Sequence, residues 1–224
     1  MLERLVELVP KSVFSESGSV FYSGRAAFAS PNPLYILGFN PGGSPDSQAD
    51  ETVEWHTRNV LEKVPSEWSE YRDESWRGMP PGLCGLQPRV LHLLRAIGIN
   101  PGLVPSSNMV FVRSTRESTF GRYISALAEQ AWPFHKFVIS QLGTKVILCF
   151  GKTAGNWVAR RVGATRQVAE FVEKNDRRWR SVTLANNQGI FVIVASHPSV
   201  ADWTAPETDP TPLVRQALDS ISAC

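Results

Sequence analysis

Short apolar runs separated by amphipathic stretches recur along the chain. Four of them, Leu34 to Leu37, Met109 to Val112, Lys145 to Phe150 and Phe191 to Val194, are mostly apolar, often β-branched, and end at a polar or glycine-containing turn. That pattern predicts strands of a parallel sheet buried on both faces. The stretches between them carry helical spacing. Leu86 to Ile97 sets Leu86, Val90, Leu91, Leu93, Leu94 and Ile97 on one stripe, and Gly98 stops it. Phe134 to Leu142 repeats the spacing before Gly143, Thr153 to Val162 follows the turn Phe150-Gly151-Lys152, and Thr211 to Ile221 has Pro212 at a position that tolerates proline. Strands alternating with helices predict an α/β fold: a three-layer α/β/α sandwich around a mainly parallel, four-stranded central sheet.

Two regions break the alternation. Residues 44–85 hold Trp55, Trp68, Trp76, several prolines and many acids, too long for an ordinary connection, which predicts a lid, an insertion or a partly helical segment. Val168 to Thr183 fits either an extra hairpin or a mobile loop. A length of 224 residues suits one domain spanning 1–224 that carries such an insertion. Leu2 to Val9 reads as an amphipathic helix with charges inside it, not as a signal peptide. No apolar run approaches the roughly 20 residues that span a bilayer, so no membrane partner is expected.

The net charge of +2 is small, but its distribution is uneven. Acids outnumber bases from Asp46 to Arg77, and bases outnumber acids from Lys152 to Arg180. The basic run is either a solvated face or a phosphate-facing patch, and bordering a ligand crevice would favour the second. Cys84, Cys149 and Cys224 are too few and too scattered for a disulfide framework or a four-cysteine metal or iron-sulfur site. That usage suits a reducing cytoplasm, and no metal or other cofactor is expected. A monomer is expected.

The candidate chemistry lies in two turns. Gly38-Phe39-Asn40-Pro41-Gly42-Gly43 follows the first strand, and Ser196-His197-Pro198-Ser199 follows the last. Two such turns can meet if their strands lie side by side and parallel, with their carboxyl ends at one crevice, where open α/β sheets bind ligands. The Asn40 amide could orient a water or hold a base edge, or it could cap its own turn. His197, stiffened by Pro198, could donate a hydrogen bond to an oxygen that gains charge during a reaction, or it could be structural.

Together these turns resemble the two signature motifs of the uracil-DNA glycosylase superfamily. Gly38-Phe39-Asn40-Pro41-Gly42 is similar to the asparagine-containing first motif of its mismatch-specific and single-strand-selective branches, and His197-Pro198-Ser199 is similar to the second. The likeness extends over most of residues 20–203. Ser107-Asn108-Met109-Val110-Phe111-Val112 looks like the family strand whose leading asparagine reads a pyrimidine edge. Val146 to Ala154 resembles the strand and glycine turn of the iron-sulfur branches, whose four-cysteine cluster this chain cannot build.

The resemblance implies a monofunctional DNA glycosylase that hydrolyses the N-glycosidic bond of uracil or another deaminated base in single- or double-stranded DNA. A base must leave the helix to be reached. Asn40 would position water and His197 would stabilise negative charge on the departing base; Asn108 would hold its edge. Gly38, Phe39, Pro41, Gly42 and Ser199 would line the substrate. Trp76 is the stacking candidate, with Phe39 as the alternative. Ser196, Pro198, Val200, Trp203 and Lys152 would meet the nucleic acid, with Trp203 as a wedge. The sequence departs from the family after the second motif, where Val200-Ala201-Asp202-Trp203 brings an acid and no base. Two other readings stand beside this one. One is a catalytically silent member binding nucleic acid, a nucleobase or a protein; the other is an enzyme acting on a different nucleoside or nucleotide.

Overall fold

A computed structural model describes residues 1–222, apart from the side chains at positions 117, 120 and 122; Cys224 lies outside the described residues. The sheet is mixed and has six strands, not the expected four parallel ones. They are β1 (Leu34–Gly38), β2 (Ser106–Asn108), β3 (Val146–Phe150), β4 (Arg166–Val172), β5 (Arg180–Ala185) and β6 (Phe191–Ala195), in the order β2-β1-β3-β6-β5-β4. The first four in that order are mutually parallel, and β5 and β4 add an antiparallel hairpin beside β6. Of the two readings for the segment from Val168 to Thr183, the hairpin is the one formed.

The second strand lies at Ser106–Asn108, three residues before the apolar run that predicted it. Polar residues can form a buried strand when their side chains are satisfied. Here Ser106 Oγ donates to Tyr71 Oη at 3.1 Å and Ser107 Oγ to the Val20 carbonyl at 2.6 Å. Met109, Val110 and Phe111 follow, and the Met109 and Val110 amides still bond the Gly38 and Phe39 carbonyls.

Among the described residues seven α-helices accompany the sheet: α1 (Leu2–Glu7), α2 (Val53–Glu62), α3 (Glu70–Asp73), α4 (Gln87–Ala96), α5 (Ile124–Gln141), α6 (Lys152–Val162) and α7 (Thr211–Ser222). Alternate strand residues feed two cores. Tyr35, Leu37, Ile147, Cys149, Val192 and Val194 pack with α1, α2, α5 and α6, while Leu34, Ile36, Leu148, Phe150 and Ile193 pack with α3, α4 and α7. Helices therefore cover both faces. Helix α5 begins ten residues before the expected Phe134, because Ala128 and Ala131 continue its buried stripe through Pro133. Residues 44–85 are partly helical. Helix α2 is capped by Thr52, whose Oγ1 accepts the Trp55 amide at 3.1 Å.

Both edges of the sheet are occupied or interrupted. Along β2 the chain from Ser17 to Ser23 is annexed: the Ser19 amide bonds the Phe111 carbonyl at 2.9 Å and the Tyr22 amide bonds the Ser106 carbonyl at 2.9 Å. On the far side, exposed β4 has a register shift between Gln167 and Ala169, and the Arg180–Glu170 ion pair (3.1 Å) joins it to β5. No helix among the described residues is long and apolar enough to cross a membrane.

Helix α6 can sit close on β6 because residue 155 is glycine. A Cβ there would stand 2.6 Å from Val194 Cγ1, well inside van der Waals contact. Gly155→Val therefore lowers unfolding free energy by about 1–3 kcal/mol, the usual cost of overpacking a core. Urea denaturation monitored by tryptophan fluorescence measures it.

Candidate functional site

Parallel pairing delivers four carboxyl ends to one edge. Gly38 is the register partner of Asn108, Leu37 of Cys149, and Phe150 of Ala195, so Asn108, Gly38, Phe150 and Ala195 form one row across the sheet. The two motif-bearing strands are parallel but not side by side, contrary to the expectation from the sequence; β3 lies between them. Its terminal turn is Gly151, at φ +88°, and a Cβ there would rest against His197 at 3.6 Å. The Gly151 amide bonds the Ala195 carbonyl at 2.9 Å, which ties the two turns together.

In the first turn, Asn40 Nδ2 donates to the carbonyl of Pro41 at 2.8 Å and to Ser114 Oγ at 3.0 Å. Ser114 in turn donates to the Arg116 carbonyl, so its oxygen is the acceptor for Asn40. These acceptors decide the amide orientation and leave Oδ1 as the Asn40 atom able to take a hydrogen bond from a ligand or water. Arg113, which is 9% exposed, clamps the turn by donating to the Gly42 carbonyl at 2.6 Å, Ser17 Oγ at 3.1 Å and Glu51 Oε2 at 3.0 Å. Gly42 has open space where a side chain would stand. Phe39 packs in the first core, the one shared by α1, α2, α5 and α6, whereas the Asn108 side chain lies over Gly38.

Asn108 is 4% exposed, and its Nδ2 has no hydrogen-bond partner. Its Oδ1 occupies the space over Gly38, where any Cβ would collide with it. The Tyr22 hydroxyl lies close by, and burial together with the charge of Glu70 pushes that phenol up to about 12. No bond of acceptable geometry reaches Nδ2, although the two side chains are near enough to influence each other. Trp76 is half-buried against the second core, as Tyr22 is, and its Nε1 donates to Glu70 Oε1 at 2.7 Å.

The second motif is built for one tautomer. The Ser199 amide donates to His197 Nδ1 at 3.0 Å, and Ser199 Oγ lies 2.7 Å from the same atom. A backbone N–H can only donate, so Nδ1 is the acceptor and the neutral ring carries its proton on Nε2. Phe150 holds the imidazole edge-on at 6.1 Å between centroids.

The loop beyond carries corrections to the sequence reading. Trp203 is 0% exposed, packs at 5.3 Å against Phe150 and donates from Nε1 to the Ser196 carbonyl at 3.0 Å. It is a core residue that fixes the turn from beneath and not a surface wedge, because the ring is enclosed before any partner arrives. Pro198 is buried and Ser196 is held by Ser181 Oγ at 2.9 Å; Val200 is 52% exposed at the tip. Asp202 does not stand alone: hydrogen bonds from Thr204 hold its carboxyl below the usual range, and Arg89 approaches at 3.5 Å. Arg89 also donates to the Pro198 carbonyl, and Arg177 to the Val200 carbonyl at 2.6 Å. These arginines come from α4 and from the β4–β5 turn.

On the α5–α6 side of the edge is an open cleft of about 280 Å³ lined by Met109, Ser125, Lys152, Asn156, Trp157 and Arg160. It adjoins the row of strand ends through Met109, the residue after Asn108. Two members of the basic run thus border the edge, whereas Arg161 faces Glu129 and Trp157, and Arg180 pairs with Glu170. No cluster of three or more His, Cys, Asp or Glu among the described residues could hold a metal ion.

Tyr22, Glu70, Arg89, Arg113 and Arg177 border this site but carry no local sequence signal, since the contacts that bring them here cross the chain: Glu70 to Tyr22, Arg89 to Pro198, Arg113 to Gly42 and Arg177 to Val200.

Nitrogen-15 NMR of His197 is expected to show the neutral ring protonated at Nε2, with a non-protonated Nδ1. Ser199→Ala keeps this tautomer through the backbone amide, and a ring protonated at Nδ1 in the parent protein would contradict the geometry. Comparison with models of known protein families gives no match, and no curated protein matches the chain.

Proposed function

We propose that the protein is a DNA glycosylase that hydrolyses the N-glycosidic bond of uracil or another deaminated base. The observation that carries this reading is the pairing of a fixed Nε2–H donor at His197 with a buried, unpartnered amide at Asn108 on one sheet edge. In the three-layer α/β/α frame that this reading uses, strands about 4.8 Å apart put β2 and β6 about 14 Å from each other. Two inward-reaching side chains and one planar ring can span that gap together.

The chemistry follows from the donors. An extruded base would offer a carbonyl to Asn108 Nδ2, and the oxygen that gains charge as the glycosidic bond breaks would take the proton of His197 Nε2–H as a hydrogen bond. Asn40 Oδ1 would hold the water that captures the sugar cation. An amide cannot remove a proton as a carboxylate can, so the reaction leans on stabilising the leaving group. Lys152, Arg160 and Arg177 would meet phosphates, and Val200 would fill the space the base vacates.

Asn40 also favours a second reading, a silent member that binds a base without releasing it, because its amide N–H groups are spent on Pro41 and Ser114.

The test is base release from single- and double-stranded oligonucleotides carrying uracil, hypoxanthine or xanthine. His197→Ala is expected to slow release about 100- to 1000-fold, the usual cost of one lost oxyanion donor. Asn40→Ala is expected to slow it too, and Val200→Ala to reduce release from duplex more than from single strands. Absence of release from every substrate, or release indifferent to His197→Ala, overturns the glycosylase reading; binding without release supports the silent one.

A further inference from the structure

Glu70 has no part in the chemistry described so far, yet its main chain is fixed from two directions. Its amide donates to the Tyr22 carbonyl at 3.0 Å, and its carbonyl accepts from Gln87 Nε2 at 3.0 Å. Gln87 is fully buried and also holds the Glu74 carbonyl at 2.8 Å. The side chain is fixed as well, through Trp76 Nε1 on Oε1. That leaves Oε2 as the acceptor.

Among the described residues no ion pair neutralises this carboxylate. Arg113, the cation that influences it, is committed to Gly42, Ser17 and Glu51. A carboxylate without a counter-ion and a buried amide without an acceptor both cost folding energy, and both lie around Tyr22. One kind of guest removes both costs: a planar group offering a carbonyl to Asn108 Nδ2 and an N–H to Glu70.

We infer that Glu70 is a specificity-determining residue whose ionised carboxylate accepts the ring N–H of a lactam base while the adjoining carbonyl takes the Asn108 amide. The inference rests on the reading above that a base occupies this edge. Uracil and hypoxanthine present the required –NH–C(=O)– edge. Cytosine and adenine present a lone pair where the N–H should be, and an ionised carboxylate repels it.

The same carboxyl makes the preference depend on pH. Burial pushes Glu70 up to about 7, the Trp76 bond pulls it down, Glu74 and Glu51 push it up, and Arg113 pulls it down. Tyr22 and Tyr71 face it as neutral phenols, both raised by burial. Helix α4 contributes the uncharged Gln87, while its Arg89 and His92 lie against Asp202 and Asp209. As pH falls through about 7 the carboxyl gains a proton and loses the charge that draws the base N–H.

The experiment measures binding of free uracil and free cytosine by NMR chemical-shift titration at pH 6 and pH 8, alongside base release from DNA at the same values. Uracil affinity is expected to be about tenfold weaker at pH 6 than at pH 8, since about one carboxyl in ten stays ionised one pH unit below its midpoint. Cytosine is expected not to bind at pH 8. Glu70→Gln is expected to bind uracil about tenfold more weakly at pH 8, with no pH dependence, because a neutral amide replaces a charged acceptor. Trp76→Phe removes the donor that favours ionisation, so its loss of affinity begins at higher pH; this variant tests the idea even if Glu70→Gln fails to fold. Uracil binding by Glu70→Gln that matches the parent in strength and pH profile overturns the inference, as does equal binding of cytosine or no binding of uracil at all. Lactam binding with this pH profile but no cleavage of DNA sustains the inference and sinks the glycosylase reading; cleavage that ignores Glu70→Gln does the reverse.

Discussion

A parallel strand cannot return through a hairpin, so each one ends in a loop at the same edge and its connection runs back over a face. In this protein that constraint is met four times in a row, and everything chemically distinctive is gathered by it. Gly38, Asn108, Phe150 and Ala195 are level because backbone ladders make them so. The turns beyond inherit that alignment. His197 keeps its orientation through Phe150, Gly151 and Trp203, which all belong to the framework. A shift of one residue in the β1–β2 register would move Asn108 to the other face of the sheet.

The framework tolerates polar groups at this edge by two different means. Arg113, Ser114 and Gln87 are saturated with partners and act as fasteners: they fix the first turn, the Asn40 amide and the segment around α3. Asn108 Nδ2 is buried without a partner, and the half-buried Glu70 carboxylate has no ion-pair partner among the described residues; both states cost folding energy. A protein selected only for stability would replace them with apolar residues of similar size. Their coexistence with so many satisfied neighbours separates the groups that hold the site from those that await something in it.

Much of the frame was legible in the sequence because it obeys simple periodicities. Strands β1, β3 and β6 are buried along almost their whole length, and α4, α6 and α7 keep their apolar stripes with glycine or proline punctuation. Strand β2 was displaced because Ser106 and Ser107 look like loop residues until Tyr71 and Val20 supply their hydrogen bonds. Pro133 concealed the first half of α5. At the site, Asn40, Asn108 and His197 could be singled out since each sits at a strand end. Arg89 and Arg113 could not, since their hydrogen-bond partners lie 62 to 109 residues away. Trp203 is hidden from the sequence for a related reason: an aromatic residue after a turn looks exposed, and only the position of Phe150 shows that it is enclosed.

The two margins of the sheet bear on how the molecule behaves in a crowd. On the β2 side the outer carbonyls are already taken by residues 17–23, and on the β4 side a bulge and crossing charges disturb the ladder. Strand-to-strand polymerisation, the usual hazard of an exposed sheet edge, meets occupied backbone at one margin and a charged, irregular strand at the other. The hairpin that bears this irregular strand also sends Arg177 to the Val200 carbonyl, so the segment that resists aggregation is the one that steadies the tip of the second motif. Any change that flattened the hairpin to lengthen the sheet would loosen the loop at the same time, tying colloidal behaviour and site geometry to one short turn.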